Sequence, residues 1–246
     1  MKKINLFCLP FAGGSKYAYR SYMANATPLL QVEPLELPGR GTRYHEPLLK
    51  DAHEMAMDVF KQIEHRLHEP YAIYGHSMGT IITFLLAKII RSKRLPPPLH
   101  LFLTGAGGPT TINKSGEIRY LLPTDAFFAK IKEMGGIDNE ILDNPDMTRF
   151  FEPILRADFQ VVETYRHQPD MPLDIPITVV IGTGEKATRE DALTWQLETT
   201  APVEVRQLPG NHFFIFDFPS DIMQLITHQL TLKFINNEQT ANLPQA

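Results

Sequence analysis

The stretch Ile73-Tyr74-Gly75-His76-Ser77-Met78-Gly79-Thr80 decides how this chain is read. It follows an apolar run, opens a helix-compatible one, and carries the pattern G-x-S-x-G. That is the form of a nucleophile elbow, a sharp strand-to-helix turn that holds a serine hydroxyl out of the backbone. The flanking glycines let strand and helix approach where a Cβ would clash. The next amide, Met78 N–H, then points at the place where an oxyanion would form. By composition alone a chain of this length carries about 0.08 copies of the motif, so its surroundings must carry the reading.

Working outward, short apolar runs alternate with longer amphipathic segments, the rhythm of a mostly parallel sheet with helices on both faces. Strands are expected at Ile4–Leu9, Gln31–Leu37, Tyr71–Tyr74, His100–Gly105, Ile177–Ile181 and Val203–Leu208. Helices are expected at Ala18–Ala24, Ala52–Leu67, Met78–Ser92, Arg189–Thr199 and Ser220–Asn236. The residues from about Asn237 to Ala246 are polar and are expected to fray. From about Pro109 to Pro172 the strand rhythm is interrupted by a helical insertion with two apolar stripes. One is Phe127, Phe128, Ile131 and Met134; the other is Phe150, Phe151, Ile154, Leu155 and Phe159. Open α/β sheets bind ligands at the carboxyl ends of their strands, and an insertion there lies over that place, so a substrate-covering lid is expected. The whole, residues 1–246, reads as a single domain of α/β-hydrolase type with this lid inserted.

A serine hydroxyl is a poor nucleophile at neutral pH and needs a base, and the base needs an acid to hold its tautomer. In α/β-hydrolases these follow in the order serine, acid, histidine. Among nine histidines, His212 falls after the last expected strand and before the last helix, in Leu208-Pro209-Gly210-Asn211-His212-Phe213-Phe214. His76 belongs to the elbow and His228 to the final helix. The acid should end the preceding strand, where Gly182-Thr183-Gly184-Glu185 supplies Glu185. Asp191, Glu190 and Asp158 are the competing carboxylates. A second oxyanion donor should come from the glycine-rich loop Leu9-Pro10-Phe11-Ala12-Gly13-Gly14-Ser15, and Ala12 N–H is the candidate beside Met78 N–H. Neither G-x-x-x-x-G-K-[ST] nor G-x-G-x-x-G is present, which argues against a nucleotide.

The 246 residues carry a formal charge of −4, with 43% hydrophobic and 21% charged residues. No basic stretch interleaved with aromatics points to nucleic acid, and Lys88, Arg91, Lys93 and Arg94 suit the solvated end of a helix. No run approaches the roughly 18 apolar residues of a membrane span. Met1-Lys2-Lys3 precedes only a strand-length apolar run without a small-residue cleavage site, so a cytoplasmic location is expected. The lone Cys8 has no disulfide partner in the chain and reads as a small buried hydrophobe.

Five ordered segments carry a resemblance: Cys8-Leu9-Pro10-Phe11-Ala12-Gly13-Gly14-Ser15, Leu37-Pro38-Gly39-Arg40-Gly41-Thr42-Arg43, Gly75-His76-Ser77-Met78-Gly79, Leu155-Arg156-Ala157-Asp158 and Pro209-Gly210-Asn211-His212-Phe213-Phe214. Together they resemble the type II thioesterases of polyketide and nonribosomal peptide synthesis over nearly the whole chain. Met134-Gly135-Gly136 and Arg156-Ala157-Asp158 resemble that family's lid. The resemblance implies hydrolysis of acyl or peptidyl thioesters from the phosphopantetheine arm of a carrier protein, with no cofactor or metal of the enzyme's own. The implied partner is that carrier, with no nucleic acid and no membrane, and the protein is expected to be a monomer. Ser77 and His212 match the family's nucleophile and base. The family usually has aspartate where Glu185 stands, and often a second glycine where Asn211 stands. Arg40 and Arg43 read either as structural groups bonding carbonyls and carboxylates or as groups near the phosphopantetheine or carrier. An esterase or acyltransferase for free small molecules would use the same three residues.

Overall fold

Strands covered by helices on both faces need apolar side chains on both faces, and the apolar runs at Ile4, Tyr71, Leu101 and Ile177 supply them. In the computed structural model, which describes residues 3–113, 116–135 and 144–241, six strands form one parallel sheet. They are β1 (Ile4–Leu9), β2 (Leu30–Pro34), β3 (Tyr71–His76), β4 (Leu101–Thr104), β5 (Ile177–Gly182) and β6 (Val203–Leu208), in the order β2-β1-β3-β4-β5-β6. Every residue of β1, β3, β4 and β5 is buried, whereas the edge strands β2 and β6 are partly exposed. This is the α/β-hydrolase architecture.

Side chains alternate between two cores, as the period of a strand requires. Phe7, Leu9, Ile73, Leu101, Leu103, Ile177, Val179 and Ile181 pack on one face with residues of α2 (Ala52–Ile63) and α3 (Met78–Ser92). Leu6, Cys8, Ala72, Tyr74, Phe102 and Val180 face α1 (Arg20–Ala24) and the last helix of the chain, α7 (Pro219–Ala241). Cys8 is fully buried, and burial pushes its thiol far above the ordinary value. Asp51 starts α2 by accepting the His53 and Glu54 N–H groups.

Several boundaries differ from the sequence reading. Strand β2 ends at Pro34 rather than Leu37: its last partner on β1 is Cys8, whose carbonyl accepts the Leu35 N–H, and β1 itself ends one residue later, at Leu9. The expected helices beginning at Ala18, Ala52 and Arg189 are each part α-helix and part 3₁₀ turn: Lys16–Tyr19 tightens before α1, Glu64–Arg66 after α2, and Thr194–Glu198 after α6 (Arg189–Leu193). Helix α7 starts one residue earlier and runs further than expected, to Ala241; residues 242–246 lie outside the described residues.

Between β4 and β5 lie α4 (Thr124–Met134) and α5 (Pro145–Thr164). Their apolar stripes meet in a core of their own, in which Phe127, Ile131, Leu155 and Phe159 are buried and Ala12 packs against them. Phe150 departs from its expected stripe and is 57% exposed, while Phe151 is only partly buried. Gly136 of the Met134-Gly135-Gly136 motif lies outside the described residues.

The chain winds from β1 outward to β2, then crosses back to place β3 on the other side of β1. The β1–β3 boundary is therefore the switch point at which open α/β sheets form a crevice. Loops leaving β1 and β3 face one another across it.

Candidate active site

Ser77 is held at the crevice by a backbone that only a crowded turn can enforce. Its φ is 54° and ψ −116°, a conformation that a non-glycine residue adopts only under local compulsion. Ser77 N–H donates to the Thr104 carbonyl on β4 (2.8 Å), and the Ser77 carbonyl accepts the Thr80 N–H and hydroxyl. The glycines are required by close approach. A Cβ on Gly75 would sit 2.3 Å from the Gly79 carbonyl oxygen, and one on Gly79 would sit 2.7 Å from that of Leu9. The second contact also places the start of α3 directly against the end of β1.

Ser77, His212 and Glu185 come together. The Ser77 hydroxyl donates to His212 Nε2 at 2.9 Å, and His212 Nδ1–H donates to Glu185 Oε1 at 2.5 Å. The Glu185 side chain is 2% exposed, against 22% for His212. Glu185 Oε2 accepts the Gly182 N–H at 2.7 Å, so the carboxylate is anchored to its own turn at the end of β5. The loops after β5 and β6, which carry Glu185 and His212, are pinned together. Thr183 N–H donates to Leu208 and Gly184 N–H to Gly210, and a Cβ on Gly182 would meet the carbonyls of Asn211 and Gly210 at 2.6 and 2.7 Å. Asn211 uses its side-chain oxygen to accept the Phe213 N–H (2.9 Å) and so braces the turn that presents His212.

None of the competing carboxylates is bonded to His212, whose Nδ1 is held by Glu185. Asp191 closes a capping box with Thr188 at the start of α6, and Glu190 lies in the same first turn. Asp158 is fully buried and binds Arg40 and the Gly13 N–H. Arg43 holds Glu46, Asp58 and the Glu36 carbonyl. Both arginines thus make the bonds to carbonyls and carboxylates that one of the two readings expected.

Ser77, His212, Glu185, Met78 and Ala12 all line one cavity of about 890 Å³, within the range that encloses a small-molecule ligand. Ile81, Ile131, Leu155 and Phe159 supply apolar wall. Met78 N–H is the first amide of α3 and so has no partner within the helix. Ala12 lies at the second position of a turn closed by Gly14 N–H donating to the Phe11 carbonyl (2.9 Å). Arg119 also reaches the cavity while paired to the buried Glu163 at 2.7 Å and lying over the Phe159 ring. Among the described residues no group of three or more His, Cys, Asp or Glu is placed to hold a metal ion, and no helix is long and apolar enough to cross a membrane.

Two parts of the site escaped the sequence reading. His76, in the elbow, is fully buried, its Nδ1 2.9 Å from the Thr104 hydroxyl and its ring 5.0 Å from that of His212. Burial, aided by His212, holds His76 well below the ordinary imidazole value, which keeps it neutral. The second is the Arg40–Asp158 pair, which spans 118 positions. Both residues lay in the quoted motifs, and the composition of Gly-Arg-Gly and Arg-Ala-Asp was the available signal.

Comparison with known proteins shows the family and the fold. The thioesterase domain family matches residues 4–230. Gramicidin S biosynthesis protein GrsT of Aneurinibacillus migulanus is 32% identical over 231 residues, covering 94% of this chain and 90% of that protein. Among solved structures, the RedJ thioesterase from the prodiginine biosynthetic pathway of Streptomyces coelicolor superposes with a TM-score of 0.85 at 33% identity, covering 92% of this chain and 89% of that one. ClbQ from the colibactin NRPS/PKS pathway gives 0.88 at 29% identity, covering 95% and 99%. With the family's pattern running from β1 into α7, and GrsT sharing close to a third of its residues over almost its full length, this chain belongs to the thioesterase domain family.

Proposed function

We propose that this protein is a type II, editing thioesterase that hydrolyses acyl or peptidyl thioesters from the phosphopantetheine arm of a carrier protein. The observation that carries the proposal is the relay Ser77–His212–Glu185 at one cavity in a chain of the thioesterase family. The names of its relatives, from gramicidin S, prodiginine and colibactin biosynthesis, support the carrier-bound substrate.

In this reading Ser77 Oγ attacks the thioester carbonyl carbon while His212 Nε2 takes the hydroxyl proton. Glu185, hydrogen-bonded to Nδ1–H, fixes the tautomer that makes this transfer possible and stabilises the imidazolium that results. Charge on the former carbonyl oxygen is met by Met78 N–H and Ala12 N–H. The C–S bond breaks, His212 returns the proton to the departing sulfur, and the carrier leaves as a free thiol. Water then attacks the acyl-Ser77 ester, His212 again accepting and returning the proton, to give a carboxylic acid and free Ser77. Helices α4 and α5 act as the lid that walls the acyl chain.

The test pairs Ser77→Ala with a comparison of substrates. Ser77→Ala should abolish turnover with circular dichroism unchanged, since the lost hydroxyl touches little packing. The same acyl group should be cleaved with higher kcat/KM from a phosphopantetheinylated carrier than from CoA, because contacts with the carrier can be realised in the transition state. More than trace activity in Ser77→Ala overturns the nucleophile. Equal rates on both substrates point instead to an esterase of free metabolites.

A further inference from the structure

We infer that Arg40 and Asp158 are positioning residues for this reaction, a buried clamp that sets the direction of the Ala12 N–H; the inference rests on the serine mechanism proposed above. Asp158 lies in α5, and Arg40 in the turn after β2. Their side chains are 0% and 3% exposed, and they meet through two parallel hydrogen bonds of 2.5 and 2.7 Å. A buried ion pair is weak evidence of stabilisation, because desolvating both ions offsets much of their attraction. What this pair does besides holding itself is therefore informative.

Each partner spends a further bond on the loop after β1. Asp158 Oδ2 accepts the Gly13 N–H at 2.7 Å, and Arg40 Nη1 donates to the Gly14 carbonyl at 3.2 Å. The first bond fixes the peptide plane between Ala12 and Gly13, and the second fixes the plane after Gly14. Gly14 N–H closes the turn onto Phe11. Among the described residues the Ala12 N–H has no acceptor, so the clamp holds the planes around it and leaves this one amide free at the cavity.

A second observation joins the same helix to the same loop. Gly13 has φ +79°, and a Cβ there would lie 2.5 Å from Leu155 Cδ2, one turn before Asp158 on α5. Helix α5 therefore presses on the turn through Leu155 and pulls on it through Asp158. The wall that encloses the acyl chain and the donor that meets the oxyanion are fixed to each other, and displacing one displaces the other.

The test removes the clamp without leaving a buried charge, using Arg40→Met with Asp158→Leu in one protein. Full loss of one oxyanion donor typically costs about 10²–10³ in kcat. A donor that is misdirected rather than absent should cost about 10- to 100-fold in kcat, with KM within about threefold. Affinity for an alkyl boronic acid, which forms a tetrahedral adduct on Ser77, should fall by the same factor. A merely structural pair would lower the unfolding midpoint and leave folded-state kcat and boronate affinity alone. If the double variant does not fold, Arg40→Lys, which keeps the charge but not the planar two-point grip, is read in the same assays and should lose kcat in part. Folded variants with kcat within threefold of the wild type, or a loss carried by KM alone, overturn the inference. If those variants are unaffected while Ser77→Ala is inert, the clamp fails and the serine mechanism stands; an active Ser77→Ala removes the mechanism itself.

Discussion

Replacing Glu185 by glutamine keeps the shape of the side chain and removes its charge, which isolates what the carboxylate does. In the folded protein one oxygen accepts the Gly182 N–H at 2.7 Å and the other accepts His212 Nδ1–H at 2.5 Å. A glutamine can serve one of them. If its oxygen stays on Gly182, its NH₂ faces Nδ1, which must then be an acceptor. The ring proton moves to Nε2 and points at Ser77, so the imidazole cannot take the serine's proton. If the amide flips, the tautomer is right, but two N–H donors face each other at Gly182, at a cost of about 1–3 kcal/mol. Flipping alone thus holds the rate about 5- to 150-fold below wild type. The lost negative charge opposite the imidazolium adds to this, up to the roughly 10⁴-fold seen when a triad aspartate is amidated. Glu185→Gln should therefore lower kcat by about 10²- to 10⁴-fold, with an unchanged circular dichroism spectrum. Glu185→Asp removes one carbon–carbon bond of about 1.5 Å, so the carboxylate cannot hold both partners unless the loop moves, and partial activity is expected. The assay is steady-state hydrolysis of an acyl-carrier or nitrophenyl ester with the folded variants. A kcat for Glu185→Gln within threefold of wild type would refute the reasoning and return the acid to Asp191, Glu190 or Asp158.

Gly75→Ala should destabilise the protein by about 3 kcal/mol or more, because its Cβ would meet backbone rather than a yielding side chain; a urea midpoint equal to wild type would contradict the tight elbow. Burial keeps His76 neutral in the folded state, while the unfolded chain takes up a proton below about pH 6.5. Stability should accordingly fall as pH drops from about 6.5 toward 5, by up to about 1.4 kcal/mol per pH unit from this group. His76→Gln should remove that component, and identical pH slopes of unfolding free energy in the two proteins would show that His76 does not contribute it.

The inner strands and the placing of Ser77 and His212 at the candidate site were legible because each rests on local sequence. Ile177–Gly182 is an apolar run broken only by Thr178, Ser77 is framed by glycines that a tight turn needs, and His212 follows the last strand in a loop. Glu185 was legible through its place after β5, although its grip on Gly182 was not, since nothing in Gly-Thr-Gly-Glu states where a carboxylate's second oxygen goes. The end of β2 was not legible because it depends on pairing with β1, which stops at the Cys8–Pro34 pair, and not on the apolar pattern that continues to Leu37. Phe150 fitted an apolar stripe by spacing yet faces solvent, because Phe127 and Phe159 fill the helix–helix contact without it. Arg40 and Asp158 stand 118 positions apart, and a pairing at that distance leaves no periodicity to read.

The order in which the site's parts occur along the chain bears on when the protein becomes competent. Ala12 and Ser77 are synthesised early, Glu185 and His212 in the last third, and β6 and α7 must pack before the His212 loop is anchored. Contacts of such long sequence separation form late in folding, after the loop-closure entropy has been met. In the serine mechanism proposed above, a growing or half-folded chain therefore carries Ser77 without its base, chemically as inert as any surface hydroxyl. On that mechanism thioester cleavage requires the completed tertiary structure, which makes hydrolytic turnover a reporter of native assembly.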